Sequence, residues 1–150
     1  MIRNFKSFHS NSESETEEIG KKVAKSVKYG TVISLKGNLG TGKTIFTKGF
    51  AKGLGIKEVV ASPTFNIVRE HSAGNGKWLY HMDLYRINDA HCALAFGIDE
   101  YMSDKNAMTL IEWAERIEDI LPPQAVHIEI KRINDNEREI RITPDVLVGE

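Results

Sequence analysis

A glycine-rich segment of eight residues carries the strongest chemical signal in the sequence. It fits the pattern G-x-x-x-x-G-K-[ST], typical of phosphate-binding loops, and runs Gly37-Asn38-Leu39-Gly40-Thr41-Gly42-Lys43-Thr44. In such loops the glycines let backbone N–H groups converge on phosphate oxygens. The Lys43 ammonium group suits the β- and γ-phosphates, and the Thr44 hydroxyl suits Mg²⁺. The sequence therefore predicts a nucleotide site formed by residues 38–44, with a purely structural turn as the alternative.

Two acidic residues that follow apolar segments are candidates for the rest of the chemistry. Hydrolysis needs an acid that manages Mg²⁺ and a group that places the attacking water. Asp83 follows residues 79–82, and Glu112 follows the more apolar run 108–111. A carboxylate at the C-terminal end of a buried strand lies where open α/β sheets hold their ligands. We assign Glu112 to the metal and Asp83 to the water. A surface or helix-capping role is the alternative for each.

Four further features have both a functional and a structural interpretation. The segment Ser62-Pro63-Thr64-Phe65 offers a fixed backbone and a hydroxyl for sensing a γ-phosphate, or is an ordinary loop. His81 could support Asp83, and Arg86 suits either a phosphate or a surface ion pair. The size of Trp113 favours packing in the core.

The composition excludes several classes of protein. With 20 Lys and Arg against 21 Asp and Glu in 150 residues, the net charge is −1, which argues against a strongly basic polyanion-binding protein. Cys92 is the only cysteine, so the sequence provides neither an internal disulfide nor a cysteine-based zinc cluster. No apolar run approaches the ~20 residues of a membrane span. We expect a cytoplasmic protein.

The segments around the glycine loop have the patterns of a strand and a helix. Residues 31–35 begin with three β-branched residues and lie between Gly30 and Gly37, which predicts a buried strand. Apolar residues at helical spacing predict a helix from Lys43 that stops at Gly55. Upstream, Ser14 and Glu17 have the capping-box spacing and predict a helix over 14–28.

Strand and helix patterns alternate through the rest of the chain. The predicted elements are a strand over 58–61, an extended segment over 65–71 paired with a strand over 78–82, a helix over 89–101 broken at Gly97, a strand over 108–111, a short helix over 114–120, and a hairpin over 126–142. This order implies an α/β fold. We predict one three-layer P-loop NTPase-like domain, residues 1–150, with a mixed, mainly parallel sheet and a C-terminal antiparallel hairpin.

Six motifs spread over nearly the whole chain belong together. They are the glycine loop, Ser62-Pro-Thr-Phe65, His81-x-Asp-Leu-Tyr-Arg86, Gly97-Ile-Asp-Glu-Tyr101, Leu110-Ile-Glu-Trp113 and the closing hairpin with Arg138. In combination they resemble the TsaE (YjeE) family. Members of that family are small bacterial P-loop ATPases that assist synthesis of threonylcarbamoyladenosine next to the anticodon of tRNAs that read codons beginning with A. They act with two partners, TsaB and TsaD, and TsaD performs the carbamoyl transfer.

The resemblance implies ATP and Mg²⁺ as cofactors, and tRNA reached only through the TsaB–TsaD complex. It places Thr44 and Glu112 on Mg²⁺ and gives Asp83 a role in hydrolysis. By the same resemblance the region around Thr16 lies near the nucleotide base, and Arg138 approaches the nucleotide. The residue that follows Glu112, a tryptophan, is implied to be functionally important.

Two rival classes of P-loop protein stay open. A small P-loop kinase for a nucleoside or metabolite usually carries an arginine-rich lid, whereas residues 89–106 contain Lys105 and no arginine. A regulatory GTPase needs an Asn-Lys-x-Asp motif, which the sequence lacks. Neither Arg86 nor Arg138 is a convincing arginine finger, and in P-loop enzymes a partner often supplies or orders that cation. We therefore expect an ATPase that is weak alone and modulated by its partners.

Overall fold

The computed structural model describes residues 4–38, 40–58 and 67–147. Contacts between residues divide the chain into two compact units. The loop unit comprises Met1–Val27, Lys36–Ala61 and His127–Glu150, and the strand unit comprises Lys28–Leu35 and Ser62–Val126. The single domain over 1–150 stays a prediction.

The described residues form strands and helices in alternation. In chain order these are β1 (Lys6–Ser10), α1 (Glu13–Ser26), β2 (Val32–Lys36), α2 (Lys43–Gly53), β3 (Val68–Gly74), β4 (Lys77–Asp83), α3 (Ala90–Phe96), α4 (Ile98–Met102), β5 (Ala107–Glu112), a 3₁₀ helix (Ala114–Ile120), β6 (Val126–Arg132) and β7 (Arg138–Thr143). The α/β class and the C-terminal antiparallel hairpin are confirmed. Among the helices of the described residues, none is long and apolar enough to cross a membrane.

The strands of the loop unit form an antiparallel ladder in the order β1-β7-β6. Ile140 of β7 pairs with Phe8 on one side and Ile130 on the other. Alternate residues of β6 and β7 are buried, as the sequence pattern predicts. Strand β1 was not predicted, because Phe8 is the only apolar residue among its five and gives no alternating pattern.

The residue that caps helix α1 is Ser12, two residues before the predicted cap at Ser14. The Ser12 hydroxyl accepts a hydrogen bond from the Glu15 N–H at 3.1 Å, and the Glu15 carboxylate accepts one from the Asn11 N–H at 2.6 Å. Ser12 and Glu15 have the same Ser-x-x-Glu spacing as Ser14 and Glu17, so the sequence offers two registers for this cap. The earlier register is the one used.

Helices α1 and α2 approach each other through glycines. A Cβ at Gly49 would lie 1.9 Å from the Glu17 carbonyl oxygen, and a Cβ at Gly20 would lie 2.3 Å from the Phe46 carbonyl oxygen. A Cβ at Gly53 would meet the Lys21 carbonyl oxygen at 2.6 Å. Only glycine fits at these crossings, so the close contact fixes α2 against α1.

The strand unit contains the parallel part of the sheet, in the order β2-β5-β4-β3. Strand β5 pairs in parallel with both β2 and β4, and β3 pairs antiparallel with β4 across a turn at Asn75 and Gly76. One face is covered by a cluster of buried residues that includes Met82, Ile98 and Ile117. The predicted mixed sheet is confirmed, with a larger antiparallel share than the mainly parallel arrangement that we predicted.

The helix predicted over 89–101 consists of two short helices. Gly97 has a φ of 94° and separates α3 from α4, which confirms the predicted break. The short helix over 114–120 is a 3₁₀ helix with the predicted limits. The predicted strand over 58–61 and the segment Ser62-Pro63-Thr64-Phe65 lie, apart from residue 58, outside the described residues.

Candidate functional site

The glycine loop follows β2 directly and ends at the start of α2. Gly40 and Gly42 have φ angles of 78° and 104°, a left-handed conformation that is costly for residues with a side chain. Gly42 caps α2, and Lys43 is the first residue of the helix. Because the first N–H groups of a helix have no partner within it, this position presents backbone donors suited to a phosphate. Leu39 lies outside the described residues.

A turn within the loop holds its first half in place. The Thr41 hydroxyl donates to the Asn38 carbonyl oxygen at 2.8 Å, and the Thr41 N–H donates to the same oxygen at 3.2 Å. A Cβ at Gly37 would lie 2.5 Å from the Thr41 hydroxyl and 2.9 Å from the Ile130 carbonyl oxygen. The first glycine of the motif is thus required by close packing rather than by its φ.

The last two residues of the motif differ in their exposure to solvent. Lys43 is 9% exposed, whereas Thr44 is exposed at the surface of α2. The Thr47 hydroxyl donates to the Lys43 carbonyl oxygen at 2.8 Å within the helix. The lysine is therefore restrained by its surroundings, and the threonine hydroxyl is accessible to a ligand.

The Arg138 guanidinium group binds the carbonyl side of the loop. Its Nε donates to the Thr41 oxygen at 2.8 Å, and its Nη2 donates to the Gly40 oxygen at 3.3 Å. Its Nη1 donates to the oxygens of Asn134 and Glu137 at 2.6 and 3.0 Å. The structure thus brings Arg138 to the loop, with its hydrogen bonds directed at backbone oxygens.

Thr16 lies beside the same loop. Its side chain is 2% exposed, and its hydroxyl is 2.7 Å from the Ser10 hydroxyl. Because the Ser10 hydroxyl donates to the Ser12 carbonyl oxygen at 2.8 Å, the Thr16 hydroxyl acts as the donor to Ser10. The Thr16 methyl group would be 3.9 Å from a Cβ at Gly42. The Thr16 side chain therefore packs next to Gly42, at the end of the glycine loop.

The two predicted acids meet at the C-terminal ends of parallel strands in the strand unit. Asp83, the last residue of β4, pairs in register with Glu112, the last residue of β5. Glu112 also pairs in register with Leu35 of β2. Both acids therefore lie at the C-terminal ends of parallel strands, as the sequence predicted. This is the edge at which open α/β sheets bind ligands.

Glu112 is buried and is held by a histidine. Its Oε2 atom is 2.8 Å from His81 Nε2, and the two residues are 7% and 2% exposed. The other ring nitrogen of His81, Nδ1, is buried and has no hydrogen-bond partner among the residues that the structure describes. The sequence left open that His81 supports Asp83, and the structure pairs its Nε2 atom with Glu112. The parallel register places the histidine within reach of the neighbouring strand's acid, two positions further on.

Asp83 is half-buried and shapes the turn that follows β4. Its Oδ1 atom accepts a hydrogen bond from the Tyr85 N–H at 2.9 Å, while its own N–H donates to the Ile67 oxygen at 3.0 Å. One carboxylate oxygen thus has a structural role. Arg86, two residues beyond the motif's leucine, is exposed.

Trp113 has an unusual backbone conformation for a bulky residue. Its φ of 62° and ψ of 37° are left-handed, and strain of this kind persists only where the surroundings enforce it. Its half-buried ring lies 5.0 Å from the Tyr85 ring and 5.8 Å from the Arg116 guanidinium carbon. Trp113 therefore packs against the chain after Asp83 and turns the chain directly after Glu112.

Each of the two units contains side-chain oxygen atoms of the kind that Mg²⁺ binds. Mg²⁺ is usually bound by one or two carboxylates together with phosphate oxygens and water, and Thr44, Asp83 and Glu112 offer oxygen atoms of this kind. Among the described residues, no group of three or more His, Cys, Asp or Glu forms a metal site by itself.

Comparisons with known proteins identify the family. The family model described as "Threonylcarbamoyl adenosine biosynthesis protein TsaE" matches residues 10–140. The chain belongs to the TsaE family. A TsaE protein from Bacillus subtilis (strain 168) is 50% identical over 129 residues, covering 86% of this chain and 79% of the relative. Another from Treponema pallidum (strain Nichols) is 37% identical over 134 residues, covering 89% of this chain and 96% of the relative.

A solved structure shares the fold. The crystal structure of Bacillus subtilis YdiB superposes with a TM-score of 0.80 at 41% sequence identity, covering 95% of this chain and 86% of that chain. The family assignment made from the six motifs is confirmed, as is the α/β fold. The motifs identified the family because they combine the glycine loop with the segments that carry His81, Glu112 and Arg138.

Proposed function

We propose that this protein binds ATP with Mg²⁺ and hydrolyses it in support of the threonylcarbamoyladenosine modification of tRNAs that read codons beginning with A. Membership of the TsaE family gives it a role in tRNA threonylcarbamoyladenosine biosynthesis. The observation that carries the ATPase proposal is the glycine loop, with Gly42 in a left-handed conformation and Lys43 as the first residue of α2.

Each residue of the proposed site has a defined task. Backbone N–H groups of the loop and the Lys43 ammonium group would bind the phosphates, and the Thr44 hydroxyl and the Glu112 carboxylate would hold Mg²⁺. When bound, Mg²⁺ neutralises charge on the phosphate oxygens. Asp83 orients the attacking water and accepts its proton as the bond to the γ-phosphorus forms and ADP departs.

Partner proteins complete the proposed mechanism. Four of the five N–H groups of Arg138 donate to backbone oxygens, so few of its donors are free for the γ-phosphate. A cation supplied in trans is worth about 10³–10⁵ in rate in related chemistry. We propose TsaB and TsaD as the partners, with tRNA reached through their complex, and the cytoplasm as the location.

Nucleotide-dependent thermal unfolding tests the proposal. A ligand at 100 times its dissociation constant stabilises a protein by about 2.7 kcal/mol, which corresponds to a rise in Tm of roughly 5–10 °C for a chain of this size. We expect this rise with ATP and Mg²⁺, not with GTP, and expect it to be lost in Lys43→Ala. Lys48→Ala is the matched control, since Lys48 is an exposed lysine of the same helix. A rise with GTP alone, or none with ATP, would contradict the proposal.

A further inference from the structure

The hydrogen bonds of Arg138 point to a role that differs from contact with the nucleotide. We propose that Arg138 is a positioning residue, which fixes the glycine loop in its binding conformation before a nucleotide arrives. The inference rests on the proposed function, because the loop is taken to bind phosphate. The observations that support it concern the loop unit alone.

Most of the hydrogen-bonding capacity of Arg138 is already used within the protein. A guanidinium group has five N–H donors. Four of them are directed at the carbonyl oxygens of Thr41, Gly40, Asn134 and Glu137, at distances between 2.6 and 3.3 Å. One donor on Nη2 is left. Only this one donor can reach a phosphate while Arg138 keeps its four hydrogen bonds to the loop and the turn.

The turn that supports Arg138 is itself well ordered by hydrogen bonds. The Asn134 side-chain oxygen accepts hydrogen bonds from the N–H groups of Asn136 and Glu137, each at 2.9 Å. The Asn134 amide and the His9 ring, which is 2.8 Å from Glu137 Oε1, hold the pKa of the Glu137 carboxyl below its usual range. The turn that carries the Asn134 and Glu137 carbonyl oxygens is therefore held by hydrogen bonds that do not involve the glycine loop.

The hydrogen bonds from Arg138 to the loop carbonyl oxygens also determine where the N–H groups of the loop point. The C=O and N–H of one trans peptide point in opposite directions. Because the Thr41 oxygen accepts from Arg138, the N–H of Gly42 points away from the guanidinium group. That N–H immediately precedes α2, on the side suited to a phosphate. By binding the Thr41 oxygen, Arg138 thus orients the Gly42 N–H without contacting the ligand itself.

Hydrogen exchange of the nucleotide-free protein tests this role directly. In Arg138→Ala we expect the Thr41 amide, which donates to the Asn38 oxygen, to exchange roughly tenfold faster or more, the effect of losing one hydrogen bond to a charged group. Exchange in the core strands should stay unchanged. Arg141→Ala is the matched control, because Arg141 lies on the same strand and contacts Phe5 and Glu139. Arg138→Gln, which keeps one amide donor, replaces Arg138→Ala if that variant fails to fold.

The kinetics separate this role from direct contact with the nucleotide. A positioning role predicts a KM for ATP raised about tenfold, with kcat at saturating ATP within about a factor of two. Unchanged exchange in the nucleotide-free loop together with a large fall in kcat would overturn the inference and make Arg138 a catalytic cation. The exchange measurement needs no ATP, so it stays decisive for Arg138 even if the protein proves not to bind ATP.

Discussion

The buried pair of His81 and Glu112 gives the sharpest stability prediction. The two side chains are 2% and 9% exposed and lie 2.8 Å apart. Replacing one partner leaves a polar group in a site that water cannot reach easily, whereas replacing both removes both groups. We therefore expect the two substitutions His81→Leu and Glu112→Leu to be strongly non-additive.

The expected coupling follows from the burial and the distance. A hydrogen bond to a charged group contributes about 1.5–3 kcal/mol, and a buried pair is screened little by solvent. Each single variant should lose about 1–3 kcal/mol of unfolding free energy. The double variant should lose less than the sum, with a coupling energy of about 1.5–3 kcal/mol between the two positions.

Urea unfolding of the four proteins in this cycle measures the coupling. The surface pair of Lys52 and Glu17 provides the matched control, because its side chains are 60% and 31% exposed and its coupling should be about 0.2–1 kcal/mol. Additivity within about 0.5 kcal/mol at His81 and Glu112 would refute the reasoning. It would mean that this hydrogen bond does not hold Glu112.

Three further predictions concern packing, metal use and pH. Gly49→Ala should lower the free energy of unfolding in urea by about 1–3 kcal/mol, because the new Cβ would lie 1.9 Å from the Glu17 carbonyl oxygen. This loss should outweigh the better helix propensity of alanine. Unchanged stability would show that α1 and α2 separate easily. In a phosphate-release assay, the activity lost in Glu112→Gln should be partly rescued by raised Mg²⁺. Asp83→Asn should still bind nucleotide in a binding assay and should lose turnover. The opposite pattern would exchange the roles of the two acids. Burial and the Asp104 hydrogen bond raise the pKa of Tyr80 to about 12, so the neutral phenol is favoured in the folded state. The contribution of Tyr80 to stability should be present below pH ~10 and lost as the pH rises through about 12. Urea unfolding at a series of pH values should show this loss in the unaltered protein and not in Tyr80→Phe. An unaltered alkaline profile in the variant would contradict the assignment.

Local sequence patterns predicted most of the elements near the site. The strand before the loop, the helix from Lys43 and the strand ending at Glu112 each have a strong apolar pattern bounded by glycine or an acid. The break at Gly97 was also predicted, since a glycine inside a helical pattern favours a left-handed residue. These features depend on neighbours in sequence.

Features that depend on distant contacts could not be predicted from the same patterns. Strand β1 forms because β7 offers it an edge, although its own residues alternate poorly. The pairing of His81 with Glu112 depends on the parallel register between β4 and β5. Gly49, within the helix, was a signal that could have been used, because a glycine at a helical position often marks close packing.

Phosphate release from ATP by the purified chain tests the central claim most directly. We expect slow release that requires Mg²⁺, is abolished in Lys43→Ala, and changes when TsaB, TsaD and tRNA are added. Lys48→Ala should behave like the unaltered protein. Equal release by Lys43→Ala and the unaltered protein would contradict the account of the glycine loop as an ATPase site. A rate that is the same with and without the partners would contradict the proposed coupling to them.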